Sequence, residues 1–267
     1  MSDLIVPPEP PKGLKQNLLS EKYEAQGFVL GTFLQIPSAQ VVELLGLAGF
    51  DFVIIDLEHG AIGLETCQEL IRAAASTGIT PMVRASHCDE VAIRQPLDMG
   101  AAGVHVPQIH SAEMARKAVR SAMFFPRGER GLQPFVRAAS YRSYPTAEFL
   151  ERSNSETVIV LHIEGKEGVA NFDEIAAVEG VDVAFIGPYD LSHSLGIPGM
   201  VQSPLVRQKM QEVISKAAGR KLAVGTFCDD TRVAMEWRKL GVTYLAVGLD
   251  AAILFSAAKR IVAQMKQ

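Results

Sequence analysis

Eight short apolar runs, separated by stretches of helical periodicity, leave this chain very few architectures. The runs cover residues 29–34, 50–56, 80–85, 103–109, 157–164, 181–188, 222–227 and 243–248. Runs such as DFVIID and VIVLHIE are rich in β-branched residues and apolar at nearly every position. A strand covered on both faces reads this way, as parallel strands under helices do, whereas a half-solvated strand alternates. Residues 39–48, 64–76, 90–99, 112–122, 171–178, 205–218 and 232–240 carry the helical pattern between them. Gly49, Gly78, Gly100, Gly219 and Gly241 closely follow helical stretches, where a left-handed cap is expected.

Strict strand–helix alternation over a chain of 267 residues predicts an α/β protein with a closed (β/α)8 barrel, the TIM-barrel fold. A doubly wound open sheet is the competing solution, but GTFLQIPS after the first run lacks the spacing of a phosphate-binding glycine turn. Residues 1–26 read as an irregular, proline-rich segment and 27–267 as one barrel domain. The long stretch 123–154 reads as a substantial loop, and loops of that length tend to be functional.

The net charge of -4 and the absence of a basic stripe argue against nucleic-acid binding. No apolar stretch reads as a secretory signal or is long enough to span a membrane. Cys67, Cys88 and Cys228 show no pair spacing and read as reduced thiols of a cytoplasmic protein.

Charged residues gather at the ends of the strands, where barrel enzymes place their chemistry. The second run ends in Asp56-Leu57-Glu58-His59-Gly60, the third near Arg84, the fifth in His162-Ile163-Glu164 and the sixth in Pro188-Tyr189-Asp190. Alternation along a strand puts His162 and Glu164 on one face. Taken singly, Glu164 also reads as a solvated strand end, and Asp190 as the N-cap of a helix starting at Leu191. Together they form a pair of hard oxygen donors on adjacent strands, suited to Mg²⁺ or Mn²⁺. His59 reads as a solvated or capping group or, with Asp56 near enough to orient its ring, as a proton-transfer group. Arg84 reads as a surface salt-bridge partner or, beside a divalent cation, as a group that holds a carboxylate or a developing enolate oxygen. His87, His105, His110 and His193 show no ligand spacing and read as structural or solvated.

These motifs resemble the HpcH/HpaI aldolase family, the class II pyruvate aldolases. The resemblance rests on FDFVIIDLEHG (50–60), MVRAS (82–86), LDMGAAGVHVPQI (97–109), PRGERG (126–131), the segment from HIEG to SLG (162–196), GTF (225–227) and AVGLD (246–250). It implies reversible cleavage of a 4-hydroxy-2-oxo acid to pyruvate, or a related 2-oxo acid, and an aldehyde. It also implies a divalent cation (Mg²⁺, Mn²⁺ or Co²⁺) held by Glu164 and Asp190, and no lysine Schiff base. His59 would transfer protons with Asp56 as its partner, Glu58 would support the metal shell, Arg84 would contact the substrate, and Asp98 would join the catalytic network. The backbone around Tyr189 and Asp190 would take the substrate carboxylate. An oxaloacetate decarboxylase or a citrate synthase-like enzyme on the same scaffold is the alternative. The family also implies a homohexamer of swapped dimers, with residues 251–265 packing on a neighbour; otherwise they form a last helix covering their own barrel.

The chain departs from that pattern in three places. His162 stands where the family carries glutamine, and is expected to hydrogen-bond substrate, with metal ligation as the alternative. Residues 123–126 read Met-Phe-Phe-Pro. Phe227 replaces a smaller aliphatic residue beside the substrate, which predicts a tighter or more apolar acceptor pocket.

Overall fold

The structure is a computed structural model that describes residues 27–143, 145–220 and 222–266. The expected irregular segment 1–26 lies outside them. Eight parallel strands close into a barrel in sequence order, β8 returning to pair with β1. They are β1 (Val29–Leu34), β2 (Phe52–Asp56), β3 (Thr80–Arg84), β4 (Gly103–Val106), β5 (Val158–His162), β6 (Val183–Ile186), β7 (Ala223–Cys228) and β8 (Tyr244–Leu249). Each of the eight apolar runs supplies one strand.

Every residue of β2, β3, β4, β5 and β6 is buried. Alternate side chains point inward and pack as one cluster, among them Phe33, Phe52, Ile54, Met82, Val158, Val160, Val183, Phe185, Tyr244 and Ala246. The intervening residues meet the surrounding helices. At about 1.5–3 kcal/mol for each large apolar side chain buried, this double coverage fixes the register. The same inward alternation carries Asp56, Arg84, His105 and His162 to the upper layer of the barrel.

The helices are α1 (Ala39–Leu47), α2 (Leu64–Thr77), α3 (Glu90–Asp98), α4 (Ala112–Ala122), α5 (Thr146–Glu156), α6 (Lys166–Ala170), α7 (Phe172–Ile175), α8 (Pro188–Ser194), α9 (Pro204–Ala217), α10 (Thr231–Lys239) and α11 (Asp250–Met265). Asp89, Ser111, Ser203 and Asp230 cap α3, α4, α9 and α10 through their side chains. All five glycines expected to follow helices have positive φ.

Three expectations change. The stretch 123–154 is not a plain loop: it holds a 3-10 segment, Arg137–Arg142, and most of α5. Phe124, Ala139 and Phe149 form a small separate core there, and the Asn154 amide brackets both backbone groups of Phe124. The helix expected over 171–178 is shorter, α7 at Phe172–Ile175, and a second short helix, α6, precedes it. Helix α8 begins at Pro188, a residue whose fixed φ suits a first helical position, so its N-cap is Gly187 and Asp190 sits inside the first turn. Of the two readings of residues 251–265, the structure removes the alternative: α11 does not cover its own barrel. Residues 251–266 are exposed throughout, and only Asp250, which accepts the backbone N–H groups of Gln35 and Ile36, is buried.

Candidate active site

The turn after β2 is organised by Asp56, which is fully buried. Its Oδ1 accepts the backbone N–H groups of Glu58 (3.1 Å) and His59 (3.2 Å), and its Oδ2 accepts Gln35 Nε2 (2.8 Å). Gly60 completes the turn because a Cβ there would lie 2.3 Å from the Asp56 carbonyl oxygen. The sequence pairs Asp56 with the His59 ring; the carboxylate instead holds the His59 backbone. The ring itself is exposed, 3.9 Å from Glu58 Oε2.

Arg84 lies opposite Asp56 in the β2–β3 register. It donates Nε to Oδ1 at 2.8 Å and Nη2 to Oδ2 at 2.7 Å, a two-pronged pairing that fixes the guanidinium plane. Its Nη1 is 3.1 Å from Glu58 Oε2, and its Cζ stands 4.9 Å from the centre of the Phe33 ring. Burial alone would raise the pKa of Asp56, but the hydrogen bonds and charge of Arg84 outweigh it and hold the carboxyl below its ordinary value. Glu58 is pushed up, by burial first and by the nearby Glu164 charge, against the pull of Arg84.

Glu164 follows β5 and is 6 % exposed. Its Oε1 accepts the Gln108 N–H at 2.7 Å, and its Oε2 lies 3.2 Å from His162 Nδ1. Burial would raise its pKa; the His162 ring, the Gln108 N–H and Arg84 reverse that and hold it low. Gly187 provides the room, since a Cβ at that position would stand 2.7 Å from Glu164 Oε2. On the far side of His162, Nε2 is 3.0 Å from His105 Nδ1, and His105 Nε2 is 2.9 Å from the Tyr244 hydroxyl. The His162 ring also stacks on Phe185 at 4.7 Å between centroids. Both nitrogens of His162 thus already have protein partners.

A cavity of about 290 Å³ brings together Arg84, His59, His162, Glu164, Tyr189, Asp190 and Phe227. Phe33, Phe185 and Leu249 complete its apolar wall. The Tyr189 hydroxyl donates to Asp229 Oδ1 at 2.7 Å, and its ring meets Phe227 at 6.0 Å. Asp98 is not among the lining residues: its two oxygens accept Arg130 (2.6 Å) and Arg94 (3.2 Å), which ties the end of α3 to the segment beyond α4. Asp56 stands behind Arg84 rather than on the cavity wall. The residues the sequence did not single out are Gln35, Gln108, His105 and Tyr244, all joined to the site only by contacts between distant strands and loops.

Among the described residues no group of three or more His, Cys, Asp or Glu side chains is arranged to hold a metal. That is the wrong donor set for a structural zinc site. It does suit a hard cation that keeps several waters and takes one or two carboxylates, which Glu164 and Asp190 offer on one cavity wall. The space that Gly187 leaves beside Glu164 Oε2 fits the same reading.

The family pattern described as HpcH/HpaI aldolase/citrate lyase matches residues 30–257. A hydroxypyruvate/pyruvate aldolase of Deinococcus radiodurans is 35% identical over 238 residues, 89% of this chain and 85% of that one. A 4-hydroxy-2-oxo-heptane-1,7-dioate aldolase of Escherichia coli is 34% identical over 236 residues, 88% of this chain and 89% of that one. The crystal structure of an HpcH/HpaI aldolase/citrate lyase family protein from Burkholderia cenocepacia superimposes with a TM-score of 0.88 at 30% identity, covering 95% of this chain and 99% of that chain. With its closed eight-stranded barrel and a match to the pattern over most of its length, the chain belongs to the HpcH/HpaI aldolase/citrate lyase family.

Proposed function

We propose that this chain is a class II aldolase that reversibly cleaves a 4-hydroxy-2-oxo acid into pyruvate, or a related 2-oxo acid, and an aldehyde. One observation carries the reading. Two anionic oxygen donors, a fixed guanidinium and an exposed imidazole face a single small cavity at the end of the barrel strands. Relatives named for pyruvate, hydroxypyruvate and a 4-hydroxy-2-oxo acid support the donor class.

Glu164 and Asp190 would hold a divalent cation (Mg²⁺, Mn²⁺ or Co²⁺), which when bound supplies the Lewis acidity that a 2-oxo group needs to form an enolate. Arg84 contributes a second positive charge at the enolate oxygen. Asp56 and Glu58 fix its plane, so little reorganisation accompanies the reaction. His59 takes the 4-hydroxyl proton, directly or through water, as the C3–C4 bond breaks, and returns a proton to C3 of the enolate. The aromatic side chains Phe33, Phe185, Tyr189 and Phe227 leave the acceptor side apolar, so the preferred aldehyde is apolar rather than carboxylate-bearing. The direct test is pyruvate release from a 4-hydroxy-2-oxo acid, run beside oxaloacetate alone and oxaloacetate with acetyl-CoA. Faster turnover of either of those than of the hydroxy acid would favour a decarboxylase or a citrate synthase-like enzyme instead.

The partner that fits α11 is a second copy of the chain, in swapped dimers that build a hexamer. Leu254, Phe255 and Ile261 on α11 are 63%, 66% and 63% exposed. The barrel positions that a last helix would cover lie between α10 and α1, and Leu44, Leu47, Met235 and Leu240 are exposed there. An apolar helix and apolar flanks left uncovered in one chain complement each other across a symmetric pair. Three free cysteines fit a reducing, cytoplasmic setting.

A further inference from the structure

The barrel interior beneath the site carries a second line of polar groups, a departure from its apolar filling. His105 on β4 is fully buried, Tyr244 on β8 is fully buried, and His162 on β5 is 1% exposed. Buried polar groups persist only where their hydrogen bonds are met, so the direction of each bond can be worked out.

Tyr244 decides it. Its ring is stacked on Phe52 at 4.2 Å, and among the described residues His105 Nε2 is the hydrogen-bond partner of its hydroxyl. If that hydroxyl only accepted, its own proton would be buried without an acceptor, the arrangement that buried polar groups avoid. It therefore donates, and His105 Nε2 accepts. Complete burial first, and the nearby Arg84 charge, disfavour a second proton on His105; with Nε2 accepting from the phenol, this ring carries its one proton on Nδ1. That proton points at His162 Nε2, 3.0 Å away, which must then be unprotonated. His162 is left with its proton on Nδ1, facing Glu164 Oε2 at 3.2 Å. Each group donates to the next, from the phenol to the carboxylate.

We propose that Tyr244 and His105 are positioning residues that act on Glu164 through His162, holding that imidazole with its proton on Nδ1 so that it fixes one carboxylate oxygen in place. The Gln108 N–H holds the other oxygen. Each oxygen keeps a lone pair for a cation on the cavity side, and the carboxylate cannot rotate away from it. His162 in this role neither ligates metal nor donates to substrate, which departs from the expectation raised by its place in the sequence. The effect on cation binding rests on reading Glu164 as a metal carboxylate; the tautomers do not.

The test has two arms that fail separately. Long-range ¹H–¹⁵N correlation spectra of histidine-labelled, metal-free protein should show both His105 and His162 protonated on Nδ1 only. In Tyr244→Phe, which keeps the stacked ring and deletes the donor, the two rings should lose that single tautomer. Mn²⁺ affinity, followed by electron paramagnetic resonance, should fall about 10-fold, the low end of what loss of an outer-shell partner costs. A proton on His162 Nε2 in the wild-type chain overturns the proposal. So does a Tyr244→Phe variant with unchanged ring spectra and unchanged Mn²⁺ affinity. Failure of the wild-type chain to bind Mn²⁺ at all would overturn the metal reading instead, with the tautomers still decided by the spectra.

Discussion

Asp56 and Arg84 face one another across β2 and β3 in direct register, joined by two nearly parallel hydrogen bonds of 2.8 and 2.7 Å. A lysine in place of Arg84 keeps the charge but cannot satisfy both carboxylate oxygens while holding a plane toward the cavity. We predict that Arg84→Lys lowers kcat by about 100-fold or more, the scale on which loss of a preorganised donor is felt. Asp56→Asn leaves a buried guanidinium half-paired and should cost about 3–5 kcal/mol of stability, measured by urea denaturation.

The same pair sets an acid limit. Asp56 is held below its ordinary value of 3.8, so its contribution to stability is complete above that value and is lost as pH falls through the lower folded pKa. Glu58, held above 4.5, acts in the opposite sense: its contribution is complete below that value and is lost as pH rises through its folded pKa. We predict that the melting temperature drops below pH 3.8 and that the drop is shallower in Asp56→Asn. An acid limb identical in the two proteins would contradict the assignment.

Gly187 makes room for Glu164. In Gly187→Ala the new methyl would stand 2.7 Å from Oε2, forcing the carboxylate to move. We predict a fold that melts close to wild type and a Mn²⁺ affinity reduced about 10–100-fold, measured by calorimetric titration.

The aromatic wall around Phe227 predicts the acceptor. With pyruvate as donor, apolar aldehydes should outpace succinic semialdehyde, and Phe227→Ala should narrow that difference by about 10-fold or more in kcat/KM. Clear preference for succinic semialdehyde in the wild-type chain would contradict it.

Helix α11 predicts the assembly. Light scattering should give a mass of several chains, and Leu254→Glu with Phe255→Glu should shift it toward the monomer. A wild-type chain that runs as a monomer would remove the second copy from the account.

The strands and the front of the site were legible because both are local patterns. Buried parallel strands are continuously apolar, and Arg84, Glu164 and Asp190 stand where such runs stop. Helix α5 was hidden by its sparse apolar positions, of which Phe149 is the fully buried one. The apolarity of α11 was plain, but whether it returns to its own barrel depends on packing that no local pattern records. His105 read as an ordinary histidine because its partners are 57 and 139 positions away and meet it only once the barrel closes. Asp98 shows the converse: a motif placed it, while the fold gives its carboxylate to Arg94 and Arg130 within the chain.

The proposed aldolase reaction depends on a cation held by Glu164 and Asp190. Pyruvate release from a 4-hydroxy-2-oxo acid should be measured on chelator-stripped protein, with and without added Mg²⁺ or Mn²⁺, in the wild-type chain and in Glu164→Ala. Stripping should abolish turnover, either cation should restore it in the wild type, and neither should restore it in Glu164→Ala. Full activity after stripping, or a Glu164→Ala variant that responds to metal like the wild type, would contradict it.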